Sequence, residues 1–154
     1  MLKPVKLGSP TPLMHRRNAK LITTGNIDDN LDLINDADLI IEVVLERLDV
    51  KHDVFRKIEE FRKKGSIITS NTSTIPREQL VEGMAESFAK DFMITHFFNP
   101  PRYLRLLEIV SGSEVSQEKV QTVSDFCDIN LGKEVVVCND TPGFIGNRIG
   151  TYWT

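Results

Sequence analysis

The sequence lacks the features that mark metal-binding, membrane-spanning, secreted and nucleic-acid-binding proteins. Its 154 residues include only two cysteines and three histidines, and these have no metal-ligand spacing, so we predict no structural metal. No apolar run approaches the ~20 residues of a membrane span, and the N-terminus lacks the apolar core of a signal peptide. A net charge of -3 gives no general attraction to nucleic acid. We therefore expect one globular, cytoplasmic domain with buried, reduced Cys127 and Cys138.

Apolar strands alternate with amphipathic helices, and this order predicts an α/β, doubly wound domain. Asp38–Val44 is nearly continuously apolar, which is typical of a strand covered on both faces in a parallel sheet. Further strands are predicted at Lys20–Thr24, Ser66–Ser70, Asp91–Phe97, Leu104–Val110 and Lys133–Cys138. Helices are predicted at Ile27–Asn35, at Leu48–Arg62, from about Pro76, from Ser116 with Val120, Val123, Phe126 and Cys127 inward, and from Gly143 or Phe144.

His96 and Glu108 form the first candidate for chemistry. If 91–97 and 104–110 make a hairpin, these two positions fall opposite each other, with their Cβ atoms about 5 Å apart. An imidazole with one nitrogen held by a carboxylate can act as a general base through the other nitrogen. The alternative is that His96 is a structural or surface group near a strand end.

Other polar side chains follow strands or begin helices. Ser70–Thr74 comes after a strand, where ligands bind in open α/β sheets, although such residues also begin helices. Asn99 and Asn147 could donate to an oxygen that gains negative charge, but Asn99 also suits a turn before two prolines. Glu46 and Lys51 follow the apolar strand, and the alternative there is a helix-start acid and a surface lysine.

The sequence resembles the NAD-dependent L-3-hydroxyacyl-CoA dehydrogenases of fatty-acid β-oxidation in four segments. They occur in the family's order: Ile40–Lys51 (IIEVVLERLDVK), Ser70–Pro76 (SNTSTIP), His96–Val110 (HFFNPPRYLRLLEIV) and Asp140–Arg148 (DTPGFIGNR). The family opens with a strand and a G-x-G-x-x-G turn, which this sequence lacks, and it carries a helical C-terminal domain. The resemblance thus implies that residues 20–154 are a partial NAD-binding domain, an incomplete Rossmann-like sheet without its first βαβ unit.

The resemblance also implies an activity, the oxidation of L-3-hydroxyacyl-CoA to 3-ketoacyl-CoA with NAD. In that reaction His96 is the general base, Glu108 orients it, and Ser73 and Asn147 hold the reacting oxygen. The residues implied near NAD are Glu46, Lys51, Ser73 and Asn99. The alternative is a non-catalytic remnant or an assembly module of a split dehydrogenase. It would bind NAD weakly or not at all, because the Gly-rich turn supplies the N–H groups that hold the pyrophosphate.

Two expectations concern partners. In the Rossmann order, Asp38–Val44 would lie beside the missing first strand, at an open edge that proteins rarely leave bare. We therefore expect this edge to pair with another copy or with a separate polypeptide. Residues 1–19 carry basic groups and no acid; they are interpreted as a partly disordered basic tail or, alternatively, as a landing site for the phosphates of coenzyme A.

Overall fold

A five-stranded sheet with helices on both faces makes up most of the computed structural model, which describes residue 13 and residues 15–152. The strands are β1 (Leu39–Glu42), β2 (Ile67–Ser70), β3 (Phe92–Phe97), β4 (Leu106–Ser111) and β5 (Glu134–Cys138). The α-helices are α1 (Leu48–Phe61), α2 (Arg77–Val81), α3 (Glu86–Asp91), α4 (Gln117–Asp125) and α5 (Gly146–Tyr152). Short 3₁₀ helices span Arg16–Leu21 and Leu31–Ile34, and a π-helical turn spans Phe126–Asn130.

The strands follow the order β1-β2-β3-β4-β5. β1, β2 and β3 run parallel, β4 is antiparallel to β3, and β5 is parallel to β4. The helical connections between β1, β2 and β3 are what parallel neighbours require, and the short connection of residues 98–105 allows the one antiparallel pair. The predicted α/β class is therefore confirmed, and so is the hairpin of β3 and β4.

Alternating strand residues build one core on each face of the sheet. On the first face, α1, α2 and α3 cover Ile68, Ile94 and Val110. The rings of Phe55, Phe88 and Phe92 pack there with centroids 5.1–5.2 Å apart. On the second face, α4 covers a set that includes the neighbouring strand residues Ile67, Met93, Leu107 and Ile109. His96 and Glu108 share the first face, since they alternate in phase with Ile94 and Val110.

The predicted strand Lys20–Thr24 is wrong. Its first residues belong to the 3₁₀ helix that ends at Leu21, whose side chain is 85% exposed. A strand needs a neighbour for its backbone hydrogen bonds, and the described residues offer this segment none. Most of the predicted basic tail, residues 1–12 and 14, lies outside the described residues.

Two further predictions fail in detail. Ile27–Asn35 contains only a 3₁₀ turn, because the Asn26 carboxamide accepts from the N–H groups of Asp28 (2.9 Å) and Asp29 (2.7 Å) and forms a local turn instead. Phe126 was expected to face inward, but it is 42% exposed. The chain changes to a π-helical turn at this residue, so the inward face of α4 does not continue through it.

β1 lies at an edge of the sheet, and within the described part of the chain no strand pairs with its outer side. Ile40 faces the first core, whereas Ile41 on the opposite face is 41% exposed. Val43 and Leu45, just after the strand, are 69% and 70% exposed. None of the described helices is both long and apolar enough to cross a bilayer.

Candidate active site

The β3–β4 hairpin brings His96 and Glu108 together. They are direct partners in the register of the two strands, and His96 Nδ1 lies 2.8 Å from Glu108 Oε2. Both residues are buried, with 4% and 1% of their surfaces exposed. The expected contact between imidazole and carboxylate is therefore present. With Nδ1 assigned as the donor to the carboxylate, Nε2 is left as the basic nitrogen.

The second oxygen of Glu108 is held by the segment that leads into α5. Oε1 accepts hydrogen bonds from the backbone N–H groups of Ile145 (2.9 Å) and Gly146 (2.7 Å). The thiol of Cys138 lies 3.9 Å from the same oxygen. Burial, and next the negative charge of Glu108, raise the pKa of Cys138 to about 11. This thiol is thus a neutral neighbour of the carboxylate, as expected for a buried reduced cysteine.

Two aromatic rings enclose the imidazole of His96. The ring centroid of Phe98 lies 4.5 Å from it, and that of Phe144 lies 5.6 Å from it. Among the described residues, the only fully buried side-chain nitrogen or oxygen without a partner is Ser66 Oγ. Because no hydrogen bond forms at His96 Nε2 in the described structure, that nitrogen must reach the protein surface. A base that has two aromatic neighbours and one open nitrogen is suited to taking a proton from a bound ligand.

A second network of charged groups lies at the end of β1, and its centre, Glu42, was missed from the sequence. Its carboxylate accepts hydrogen bonds from Lys51 Nζ (2.9 and 3.0 Å), Ser70 Oγ (2.5 Å) and Val44 N (2.5 Å). The Lys51 side chain is 1% exposed, so the alternative interpretation as a surface lysine is wrong. An acid inside an apolar strand was the available signal, since such a group requires a buried partner.

Lys51 connects this network to Glu46, whose Oε2 lies 3.2 Å from Nζ. The other oxygen, Oε1, accepts from the Thr72 hydroxyl, from Ser73 N (3.1 Å) and from Thr74 N (3.3 Å). Burial raises the pKa of Glu46, but the bond from Thr72 and the charge of Lys51 outweigh it and hold the pKa below its usual value. An ionised Glu46 therefore organises the loop that contains Ser73.

Asn147 joins that loop to α5. Its amide nitrogen donates to the backbone carbonyl of Ser73 at 3.1 Å. A cavity of about 440 Å³ opens beside this contact. The residues that line it are Thr74, Pro142, Gly143, Asn147, Arg148, Gly150 and Thr151. The predicted residues Ser73 and Asn147 are therefore neighbours, as one shared site requires.

Asn99 stands apart from these contacts. It is exposed in the β3–β4 connection, and no hydrogen bond of the described structure joins it to Ser73 or Glu46. The connection is held by Lys133, a buried residue that sequence reasoning missed. Its Nζ donates to the carbonyls of Pro101 and Leu104, the latter at 2.8 Å, and lies 5.6 Å from the centre of the Phe97 ring.

Asp140 is a further residue that the sequence reasoning did not single out. Its carboxylate accepts from the N–H groups of Arg77 (2.7 Å) and Glu78 (2.8 Å), the first two residues of α2. Asp140 therefore joins the DTPGFIGNR segment to the helix that follows the Ser73 loop. An acid at the start of a helix is a standard cap, but an acid more than 60 positions away in sequence leaves no local signal.

The remaining histidines behave differently from His96. His15 is exposed, as expected, and accepts from Arg17 N. His52, expected at the surface, is half-buried and contacts the carbonyl of Gln79 at 3.0 Å. The described residues contain no group of three or more potential metal ligands.

Comparison with known proteins gives this geometry its context. The family model of the 3-hydroxyacyl-CoA dehydrogenase NAD-binding domain matches residues 6–141. The chain belongs to this family. It is 46% identical over 143 residues to a protein of Deinococcus radiodurans named "Probable 3-hydroxyacyl-CoA dehydrogenase", covering 93% of this chain and 41% of that protein. A Bacillus subtilis protein of the same name is 47% identical over 93% of this chain and 18% of its own length.

Solved structures of 3-hydroxyacyl-CoA dehydrogenases share the fold. The (S)-3-hydroxybutyryl-CoA dehydrogenase PaaH1 of Ralstonia eutropha matches with a TM-score of 0.71 and 30% identity, over 77% of this chain and 41% of that one. The α/β, Rossmann-like class expected from the sequence is thereby confirmed. The chain spans less than half the length of these relatives.

Proposed function

We propose that this dehydrogenase domain carries the proton-transfer site of an NAD-dependent oxidation of L-3-hydroxyacyl-CoA to 3-ketoacyl-CoA in fatty-acid β-oxidation. The observation that carries the proposal is the buried 2.8 Å contact between His96 Nδ1 and Glu108 Oε2. His96 Nε2 takes the proton of the substrate hydroxyl. Glu108 fixes the imidazole orientation and stabilises the imidazolium that forms.

Ser73 and Asn147 are proposed to hold the oxygen that loses this proton. Their proximity supports the assignment, since Asn147 Nδ2 lies 3.1 Å from the Ser73 carbonyl oxygen. An amide NH₂ group can donate to an oxygen with developing charge, and Asn147 Nδ2 carries a second N–H besides the one given to the Ser73 carbonyl.

NAD, when bound, supplies the acceptor of the hydride. We propose that Glu46, Ser73 and Asn99 lie at its nicotinamide end, with buried Lys51 acting through Glu46. The residues fit that end only, because the sequence has no G-x-G-x-x-G turn to hold the pyrophosphate. Charge-assisted hydrogen bonds contribute roughly 1.5–3 kcal/mol each, so their loss implies weak NAD binding by this chain alone.

An assembly role is supported by the edge strand. We propose that β1 pairs with a second copy or with a polypeptide that supplies the adjacent strand. No strand of the described residues pairs with its outer side, and Ile41 in β1 and Val43 and Leu45 just after it are exposed apolar residues.

We also propose that the protein is cytoplasmic, because its two cysteines are free and buried and thiols stay reduced in that compartment. Acyl-CoA is the proposed small-molecule partner.

A pair of assays tests the function. NADH fluorescence is titrated against the chain, and acetoacetyl-CoA reduction is followed with wild type, His96→Ala and His15→Ala as the matched exposed control. We expect weak NADH binding and a turnover that falls by about 10²–10⁴ in His96→Ala only, the range for loss of a general base. Equal turnover in both variants would contradict the proposed base. Silence of the wild type in both assays would favour the non-catalytic alternative.

Sedimentation velocity tests the assembly proposal separately. At micromolar concentration we expect a species larger than one 17.5 kDa chain, and Ile41→Lys should reduce its proportion by placing charge beside the open edge. A single monomeric species for the wild type would count against pairing with another copy. A monomer that stays monomeric when co-expressed with neighbouring coding regions would count against a separate polypeptide.

A further inference from the structure

We propose that Gly146 is a positioning residue for the His96–Glu108 pair, because its N–H group holds Glu108 and a Cβ at this position would collide with Phe98, the ring beside His96. The role in catalysis rests on the proposed function, whereas the positioning itself rests on contacts within the chain. Gly146 touches neither substrate nor cofactor in this proposal. It acts through the carboxylate and through the ring that covers the imidazole.

The first contact is with the carboxylate. Gly146 N donates to Glu108 Oε1 at 2.7 Å, while the other oxygen of Glu108 lies 2.8 Å from His96 Nδ1. The backbone at position 146 therefore fixes the carboxylate from the side opposite the imidazole. Because Glu108 is 1% exposed, water cannot readily replace a lost donor.

The second contact is with the aromatic ring. A Cβ built at Gly146 would lie 2.5 Å from Phe98 Cζ, closer than carbon atoms can approach, and 3.0 Å from Cε1, a tight contact. The same Cβ would lie 3.6 Å from Glu108 Oε1, an ordinary separation. Phe98 is the ring whose centroid is 4.5 Å from that of His96. A side chain at position 146 would thus displace the Phe98 ring, and the displaced ring would change the surroundings of the imidazole.

Backbone conformation does not explain the glycine. Four of the glycines that the structure describes have positive φ, among them Gly143 at 75°, but Gly146 is not one of them and begins the regular helix α5. The reason for a glycine at this position therefore lies in its contacts. Gly150, one turn further along α5, has no atom within 4 Å of a built Cβ and offers a matched control.

Histidine NMR tests the inference without substrate or cofactor. The downfield Nδ1 proton signal of His96, assigned by its loss in His96→Ala and Glu108→Gln, reports the bond to Glu108. We expect this signal in wild type, Gly150→Ala and Phe98→Leu, and its loss in Gly146→Ala. Leucine lacks the Cζ and Cε1 atoms of the clash, so Gly146→Ala with Phe98→Leu should recover the signal.

Comparison of the single and double variants separates a positioning role of Gly146 from a general loss of structure. Retention of the signal in Gly146→Ala, or its loss in Gly150→Ala as well, would overturn the inference. If Gly146→Ala fails to fold, a double variant that folds and shows the signal supports the inference, and one that also fails overturns it. Because the signal needs no turnover, an inactive wild type would refute the proposed function and leave this test intact.

Discussion

Replacement of Lys51 by methionine tests the buried network at the end of β1. Methionine keeps the length and most of the volume of the lysine stem but removes the ammonium group. The substitution leaves the Glu42 carboxylate, whose side chain is 0% exposed, without the cation that lies 2.9 Å away. Ser70 Oγ and Val44 N still donate to that carboxylate, so what is lost is its charge partner.

Breaking a buried ion pair by removing one partner costs about 3–5 kcal/mol, because an uncompensated charge remains. Both groups are almost completely buried, so we apply this range without a reduction for solvent. Adding Glu42→Gln should reverse part of the loss, since a neutral amide leaves no uncompensated charge. Its oxygen can accept from Val44 N, and its NH₂ group can donate to Ser70 Oγ in place of the bond that Ser70 gives to the carboxylate. We expect the two changes to couple by about 1–3 kcal/mol, as contacting residues do.

Urea denaturation measures these free energies of unfolding, with Lys57→Met as control. Lys57 pairs with Asp28 at 2.8 Å, but their side chains are 46% and 82% exposed, so this variant should unfold at the wild-type urea concentration. The slope of free energy against urea should remain constant across the set. A Lys51→Met midpoint equal to that of Lys57→Met, or a double variant less stable than either single one, would refute the reasoning.

Two further predictions follow from other contacts. The pKa of about 11 for Cys138 means that the unfolded chain, with an ordinary thiol pKa near 8.5, releases the proton first as pH rises. The free energy of unfolding should therefore fall as pH rises through this interval. Cys138→Ala should weaken that dependence in urea titrations at each pH, and the remainder includes Cys127, whose pKa burial also raises. Asp140→Ala should lower the free energy of unfolding by about 1 kcal/mol, the usual effect of removing a helix cap. Hydrogen exchange should become faster at the amides of Arg77 and Glu78, which lose their acceptor. The rate at Lys119, whose amide Ser116 caps, should stay unchanged.

The strands and long helices could be predicted because their signals are local. Asp38–Val44 and Leu48–Arg62 carry apolar patterns that contain the observed β1 and α1, and the short β3–β4 connection made the opposition of His96 and Glu108 predictable. Lys20–Thr24 shows the limit of such reasoning. Its pattern suits a strand, but a strand forms only where a neighbour offers hydrogen bonds, and that neighbour is a property of the whole sheet.

The hydrogen bonds that hold the site residues in place could not be predicted from local sequence patterns. Glu42 is visible as an acid within an apolar strand, yet nothing local pairs it with Lys51 and Ser70 at once. The contacts from Ile145 and Gly146 to Glu108 join residues 37 and 38 positions apart. Backbone donors carry no side-chain signature, so such long-range bonds become apparent only when the fold is known.

The two networks meet at one contact, and this explains how the site can be held without the sheet's open edge. Lys51 and Glu46 fix the loop that ends in the Ser73 carbonyl, while Glu108 is fixed by the start of α5, from which Asn147 reaches that same carbonyl. Neither set of bonds passes through the outer side of β1. The proposed proton-transfer geometry therefore depends on contacts within the described residues.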